Sequence, residues 1–286
     1  MLTVILVLLI LILIMCNSAQ DTFVDISPFK TTNYIFRDTF PNVIHKTLFE
    51  NTGKESRITS DINKAIESWL IKNPHYTIKL WDLIDARNFL ISSFPSEVIE
   101  CFDSLRPYAF KSDFFRYCVI YKNGGWYSDI FQICLQNNLL DNLKKNKIEN
   151  YFIRDKGADK LGFSDCVQTC FFGAYRYSEV LRRIIRRTIK NTKNEHYASH
   201  PIKTCGSVCV LGEVFKELGY EDKDFIGYFD IERGIYPGGA YIYDLNGTRL
   251  IKHKCLGCKI NNGNDYRIMW ENKNLYNKNY SKTMDS

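Results

Sequence analysis

The sequence lacks any concentrated block of charge: its surplus of +6 is spread along 286 residues. A dispersed surplus of that size, without a basic stripe, does not point to nucleic acid as a partner. Internal repeats are absent as well, which removes solenoids and propellers from consideration. Beyond residue 16 there is no low-complexity tract, so no long disordered linker divides the chain. His196 and His200 have the i,i+4 spacing of a helical metal site, but no Glu lies between them and their surroundings read as a loop. The helical metalloprotease pattern is therefore missing. Finally, no Lys or Arg precedes the apolar run at the start of the chain.

That run, Leu2 to Cys16, is broken only by Thr3. It is short of the ~20 residues that cross ~30 Å of hydrocarbon. It matches the apolar region of a signal peptide, with Asn17-Ser18-Ala19-Gln20 supplying small residues for cleavage. The alternative is an uncleaved type II anchor that attaches the chain to a membrane through residues 2–16. Either places the rest in the secretory pathway, in the ER or Golgi lumen, or outside the cell. The ten cysteines fit that compartment. Six of them form close pairs, Cys166/Cys170, Cys205/Cys209 and Cys255/Cys258, which read as disulfide partners of unfixed connectivity. A zinc site on Cys205/Cys209 with Cys255/Cys258, or free buried thiols, are the other readings. The sequons Asn246-Gly247-Thr248 and Asn279-Tyr280-Ser281 are usable in a lumen.

The most informative stretch is Tyr108–Gln132. Phe110, Phe114, Tyr117, Cys118 and Tyr121 fall on one face of a helix that Pro107 opens and Asn123-Gly124-Gly125 stops. Trp126–Phe131 then reads as a buried strand. Asp113 and Arg116, three residues apart, share a helix face. Asp129 stands where the strand runs out, the usual place for ligand groups in an open α/β sheet. Around this centre, Val43–Leu48 and Tyr76–Leu80 read as strands and Thr59–Asn73 as a helix. Two short helices fill Leu83–Phe102, and Leu139–Lys145 is a short exposed helix. Asn150–Arg154 and Cys166–Tyr175 are further strands, with Gln168 toward the cleft. Val180–Ile189 is a helix with a basic outer face, which reads as a solvated face before a lipid-binding one. Val208–Leu218 is another helix, and Asn246-Gly247 marks a hairpin between Tyr241–Leu245 and Thr248–Lys252.

Ser112-Asp113, Arg116 and Gly124-Gly125-x-Tyr127-x-Asp129 together resemble the signature of glycosyltransferases with a DxD sugar-binding region, the family 32 enzymes and their capsular-polysaccharide relatives. Flanking segments are similar too: Pro41-x-x-Ile44-His45, Asn73-Pro74, Leu80-Trp81-Asp82 and Asn264-Asp265-Tyr266-x-x-Met269-Trp270. The resemblance implies a GT-A-like nucleotide-diphospho-sugar transferase fold, α/β with a mixed central sheet flanked by helices. It covers a domain at residues 40–276, behind a leader at 1–20 and a stem at 21–39, with a polar tail at 277–286. It further implies transfer of a hexose from a UDP- or GDP-sugar to a hydroxyl of a glycan or glycolipid acceptor, with retention at the anomeric carbon. Asp129, Asp113 and Arg116 are the implied catalytic residues, and His45 and Tyr127 join them around the donor.

The chain departs from the pattern at Cys205-Gly206-Ser207, where the family has Thr-Gly-Pro, and at one residue that bears on the metal. The family expects a second carboxylate two residues after Asp129, its main ligand for Mn²⁺ or Mg²⁺, and this chain has Phe131. The ion is then expected on Asp129 with a C-terminal group, for which Asn264 and Asp265 are candidates. Metal-free transfer that uses Lys or Arg, and a sugar- or nucleotide-binding protein without turnover, are the alternatives.

Overall fold

Pro41 has no amide to give to a sheet, and the first strand, β1 (Val43–Thr47), begins just after it. The computed structural model describes residues 40–49, 58–232, 239–253 and 264–277. All of these belong to one unit, Tyr34–Ser286. The leader, the stem, Cys16, Cys255, Cys258 and the second sequon lie outside the described residues. Among the described residues no helix is long and apolar enough to cross a membrane.

A β–α–β start sets the architecture. Helix α1 (Ser60–Lys72) is capped by Thr59, whose hydroxyl accepts from Ile62 N. It buries Ile62, Ala65 and Trp69 and leads into β2 (Thr77–Trp81), parallel to β1. Helices α2 (Leu83–Ser93) and α3 (Ser96–Ser104) follow, split at Phe94-Pro95. Helix α4 (Tyr108–Asn123) then feeds β3 (Gly125–Ser128), which lies parallel to β1 on its other side. After the short β4 (Ile133–Cys134) and α5 (Leu139–Lys144) come β5 (Asn150–Asp155), the single turn α6 (Lys156–Asp159) and β6 (Val167–Ala174). Helices α7 (Glu179–Lys193) and α8 (Val208–Glu217), strands β7 (Tyr228–Ile231), β8 (Ala240–Tyr243) and β9 (Arg249–Lys252), and α9 (Tyr266–Glu271) complete the series.

Among the described residues the strands form one nine-stranded sheet in the order β2-β1-β3-β6-β5-β7-β8-β9-β4. It is mixed. β1 is parallel to both neighbours, β3–β6 and β6–β5 are antiparallel, and β5–β7 is parallel. This is the α/β fold with a mixed sheet and flanking helices that the sequence implied. The sheet curls, because β4 at its far end returns to α1 near its beginning. The Trp69 indole donates to Gln132 O at 2.7 Å, and Cys134 N donates to Ser68 Oγ at 3.0 Å. Side-chain alternation gives β1 and β3 two buried faces. Ile44 and Trp126 join Trp69, Tyr151 and Phe171 in one core. His45 and Tyr127 face the other way, toward Trp81 and Phe172.

Local outcomes differ from the sequence reading in three places. Helix α5 is not exposed, because Leu139, Leu140 and Leu143 are buried under the curled sheet. The hairpin strands end earlier than expected: the Asp244 carboxylate accepts from Asn246 N and Thr248 N and builds a wider turn. The basic face of α7 is partly neutralised by protein carboxylates, with Arg182 and Arg183 on Glu179 and Arg187 on Glu213 and Glu217. A solvated, ion-paired surface accounts for that helix.

The described cysteines fix one connectivity that the sequence left open. The disulfide joins Cys166 to Cys209, one member from each of two close pairs. Cys170 and Cys205 are left as buried thiols. Because Cys209 is in the disulfide, the zinc arrangement built on Cys205 and Cys209 is not formed.

Candidate active site

Two glycines place the site. Gly124 ends α4 with φ +68°, and its amide donates to Ile120 O at 2.7 Å. Gly125 has φ +94°, and a Cβ there would lie 2.8 Å from Val43 Cγ1. Only glycine permits α4 to turn directly into a strand lying against β1. The chain therefore reverses within two residues, and Asp129 arrives just past β3 beside the α4 face that carries Ser112, Asp113 and Arg116.

Arg116 organises what is brought together. Its Nη2 lies 3.1 Å from Asp113 Oδ1 and 3.3 Å from Asp129 Oδ1. Its Nη1 donates to Thr169 O at 2.8 Å and to Thr169 Oγ1 at 3.2 Å. Its Nε donates to Ser112 O at 3.2 Å, and Nη2 also donates to Ser112 Oγ at 3.0 Å. The guanidinium lies 4.4 Å from the centre of the Tyr127 ring, whose hydroxyl donates to Asp129 Oδ1 at 3.0 Å. Thr47, on β1, closes the network through the Tyr127 hydroxyl (2.9 Å) and Ser112 Oγ (2.6 Å). A planar fork with fixed donors can serve this many acceptors at once, which an ammonium cannot.

The charges set what the site can do. One guanidinium faces two carboxylates, so the cluster keeps a net negative charge. Burial works against the charge of Arg116, but Tyr127, Asp113 and Asp129 overrule it and hold the group above the ordinary range. Burial pushes Asp113 up to about 6; Arg116 opposes that rise and the Asp129 carboxylate adds to it. Both carboxyl groups bind Arg116 through Oδ1 and keep an open edge, with side chains 20% and 29% exposed. No described residue donates a hydrogen bond to either Oδ2. The site thus presents two fixed acceptor oxygens side by side, suited to the hydroxyl groups of a sugar.

The other predicted residues are engaged with partners outside the Arg116 network. His45 is 2% exposed, and its Nδ1 accepts from the Trp81 indole at 3.0 Å. Burial, with Lys79 adding, lowers it to about 3, against a weaker pull from the Gly124 backbone, so it is neutral at physiological pH. In the β1–β3 ladder it pairs with Tyr127. Asp265 caps α9: its Oδ1 accepts from Arg267 N at 2.9 Å, and its Oδ2 pairs with Arg267 Nη2 at 2.8 Å. Asn264 ties the C-terminal segment to the start of α4 through Tyr108 N and Arg106 O. Phe131 packs with Leu48, Ile62 and Ile130 and offers no ligand. Among the described residues no three His, Cys, Asp or Glu groups are arranged to hold a metal, and His200 is occupied in capping the turn at Pro201–Lys203.

Lys46 was missing from the sequence reading. It is wholly buried on the face of β1 opposite Thr47. Its Nζ donates to Ser128 Oγ at 2.8 Å and to Asp129 O at 3.0 Å. Ser128 Oγ in turn donates to Gln132 Oε1 at 2.8 Å, so the lysine pins the turn that carries Asp129. Asp129 is held on three sides: its carboxylate by Arg116 and Tyr127, its carbonyl by Lys46, and its amide by Cys170 O at 2.9 Å. The signal available in the sequence was alternation, which puts Lys46 on the same inward face as Ile44.

Burial lowers Lys46 from 10.5 to about 7, while Asp129 and Cys134 pull the other way. Between these values the unfolded chain holds more protons than the folded one, so stability rises with pH across that window. Denaturant titrations at pH 7 and pH 9 are expected to give the higher unfolding free energy at pH 9. In Lys46→Met this difference shrinks, and an equal rise in both proteins disproves the assignment.

Comparison with known proteins bears directly on this cluster. Residues 59–150 match the family described as a glycosyltransferase sugar-binding region containing a DXD motif. This segment of the chain is similar to that family's sugar-binding region. It holds Asp113, Arg116, Tyr127 and Asp129 and ends as β5 begins. Over 97 residues the chain is also 37% identical to an uncharacterized glycosyltransferase of Acanthamoeba polyphaga mimivirus. That alignment spans 34% of this chain and 38% of the relative's length. A solved structure, PaToxG Glycosyltransferase, aligns over 64% of this chain and 72% of its own at 13% identity, with a TM-score of 0.46. Lys46, Thr47 and Thr169 lie outside the sugar-binding region as matched, and only the tertiary structure adds them to it.

Proposed function

We propose that the protein is a glycosyltransferase that moves a hexose from a UDP- or GDP-sugar to a hydroxyl of a glycan or glycolipid. The observation that carries the reading is the Arg116 clamp, which holds Asp113 and Asp129 with one open oxygen each in a segment similar to that family's sugar-binding region. In this reading Asp113 accepts from hydroxyl groups of the donor sugar. Asp129 faces the ribose or the sugar. Arg116 and Tyr127 hold both carboxylates at fixed positions, so that no reorganisation is needed when charge develops. The bond from the anomeric carbon to the diphosphate breaks with its electron pair on the leaving phosphate. The acceptor oxygen bonds to that carbon, and its proton passes to the departing phosphate. Attack from the leaving-group side gives retention.

A divalent ion fits this donor set in one way. Mg²⁺ and Mn²⁺ sites on phosphate substrates need only one or two protein carboxylates; Asp129, the more exposed of the two carboxylates, would supply one through Oδ2, with the donor phosphates as the other ligands. The ion would neutralise charge on the leaving diphosphate. The Cys166–Cys209 disulfide supports the secretory pathway as the compartment, because such bonds persist in oxidising environments.

Phe131 favours a second reading, a protein that binds a sugar or nucleotide without turnover. The deciding experiment incubates the full chain with a panel of nucleotide sugars and measures UDP or GDP release, with Mn²⁺ and with chelator. Release that chelator abolishes supports the metal-assisted enzyme, and release indifferent to chelator a metal-free one. Nucleotide binding without release from any donor establishes the binding protein instead.

A further inference from the structure

We infer that Asp155 and Gln168 form a strut that holds a bulge of β6 in the shape needed to aim Thr169 and Cys170 at the donor site. The inference rests on the reading of Arg116 and Asp129 as that site.

The bulge is evident from the strand register. On β5, a single residue, Phe152, separates Tyr151, paired with Gly173, from Ile153, paired with Gln168. On β6 four residues, Thr169–Phe172, fill the same interval. On its other edge β6 stays regular against β3 as far as Phe171. The extra residues turn Thr169 and Cys170 away from the β5 ladder, and their amides need other acceptors. The Gln168 side chain supplies one: its Oε1 accepts from Thr169 N at 2.9 Å and from Cys170 N at 3.3 Å.

The same two residues meet the site through their carbonyl groups. Thr169 O accepts from Arg116 Nη1 at 2.8 Å, and Cys170 O accepts from Asp129 N at 2.9 Å. The amide oxygen of Gln168 therefore fixes the peptide unit that carries Thr169 O to the guanidinium, and holds the amide side of Cys170, whose carbonyl accepts from the aspartate. What fixes Gln168 is Asp155, a 5% exposed carboxyl at the end of β5. Its Oδ2 accepts from Gln168 Nε2 at 3.1 Å, which sets the orientation of the amide, while its Oδ1 accepts from Ala158 N at 3.0 Å and caps α6. Asp155 touches no reacting group. It is a positioning residue, linked to Arg116 through three hydrogen bonds in series.

The arrangement has a directional logic that can be reversed. In Asp155→Asn the α6 cap survives, since Asn caps as well as Asp. An amide facing the Gln168 amide, however, no longer holds it with its oxygen toward Thr169. The double variant Asp155→Asn with Gln168→Glu restores a donor at 155 and acceptors at 168, and keeps the total charge. Amide hydrogen exchange by NMR reads the strut without any reference to activity. Exchange at Thr169 N and Cys170 N is expected to accelerate roughly tenfold in the single variant and to return to the wild-type rate in the double one. Donor turnover is expected to fall about 10- to 100-fold in the single variant, as for displacements near 1 Å at a reacting centre, and to recover in the double. Unchanged exchange in Asp155→Asn, or no recovery in the double variant, overturns the strut. Altered exchange with wild-type turnover overturns its part in the site. If exchange responds as stated and the wild-type chain turns over no donor, the strut stands and the glycosyltransferase reading alone falls.

Discussion

Arg116→Lys is expected to leave a folded protein whose donor turnover is at least about 100-fold lower, the scale for loss of a preorganised polar contact in a reacting site. The guanidinium serves six acceptor contacts on Ser112, Asp113, Asp129 and Thr169, and lies 4.4 Å from the centre of the Tyr127 ring. An ammonium has three donors and no plane, so at least one carboxylate loses its partner. Arg116→Ala goes further. It leaves Asp113 and Asp129 facing each other with no cation between them, and breaking a buried pair in this way costs about 3–5 kcal/mol. Denaturant midpoints and UDP or GDP release measured on both variants check these statements. Wild-type turnover in Arg116→Lys rules out the clamp as the organiser of the site.

Asp129→Asn is expected to reduce donor turnover by about 10²–10³, again the scale for one stabilising polar group in a reacting site. The substitution keeps the shape of the side chain and removes its charge, so the effect is electrostatic rather than steric. A second readout is independent of turnover. The Asp129 carboxylate is one of two influences that raise Asp113 to about 6, after burial. With the neutral amide in its place, Asp113 is expected to titrate at lower pH, followed by the chemical shift of its carboxyl carbon. A raised carboxyl stabilises the fold most below its unfolded value of 3.8, and this contribution disappears as pH rises through about 6. Asp129→Asn should narrow that window from above. An Asp113 titration unmoved by the substitution disproves the coupling of the two carboxylates.

The Phe131 departure takes on a physical meaning beside these results. The side chain lies among Leu48, Ile62 and Ile130, so the position serves the packing of α1 against the strand layer. Asp129, two residues earlier, sits on a turn fixed from beneath by the buried amino group of Lys46.

Much of this site was legible in the chain. The helix from Tyr108, its stop at Gly124-Gly125 and the strand that follows could be read from local rules, because periodicity and glycine conformations are properties of neighbouring residues. Asp113, Arg116, Tyr127 and Asp129 were found because they lie within 17 positions of one another on that helix–turn–strand unit. The α/β fold with a mixed sheet was implied by the resemblance of the motifs, and the strand pairings agree with it. Only the tertiary structure decided the rest. Lys46 and Thr47 reach the site because β1 pairs with β3, which joins segments some 80 residues apart. Thr169 and the Asp155–Gln168 pair matter because of a bulge in one strand, and a shift in register leaves no mark on composition. The Cys166–Cys209 bond crosses between two close pairs, since distance in space and not spacing along the chain selects disulfide partners. Local chemistry wrote the clamp into the sequence, and strand pairing supplied the groups that hold it still.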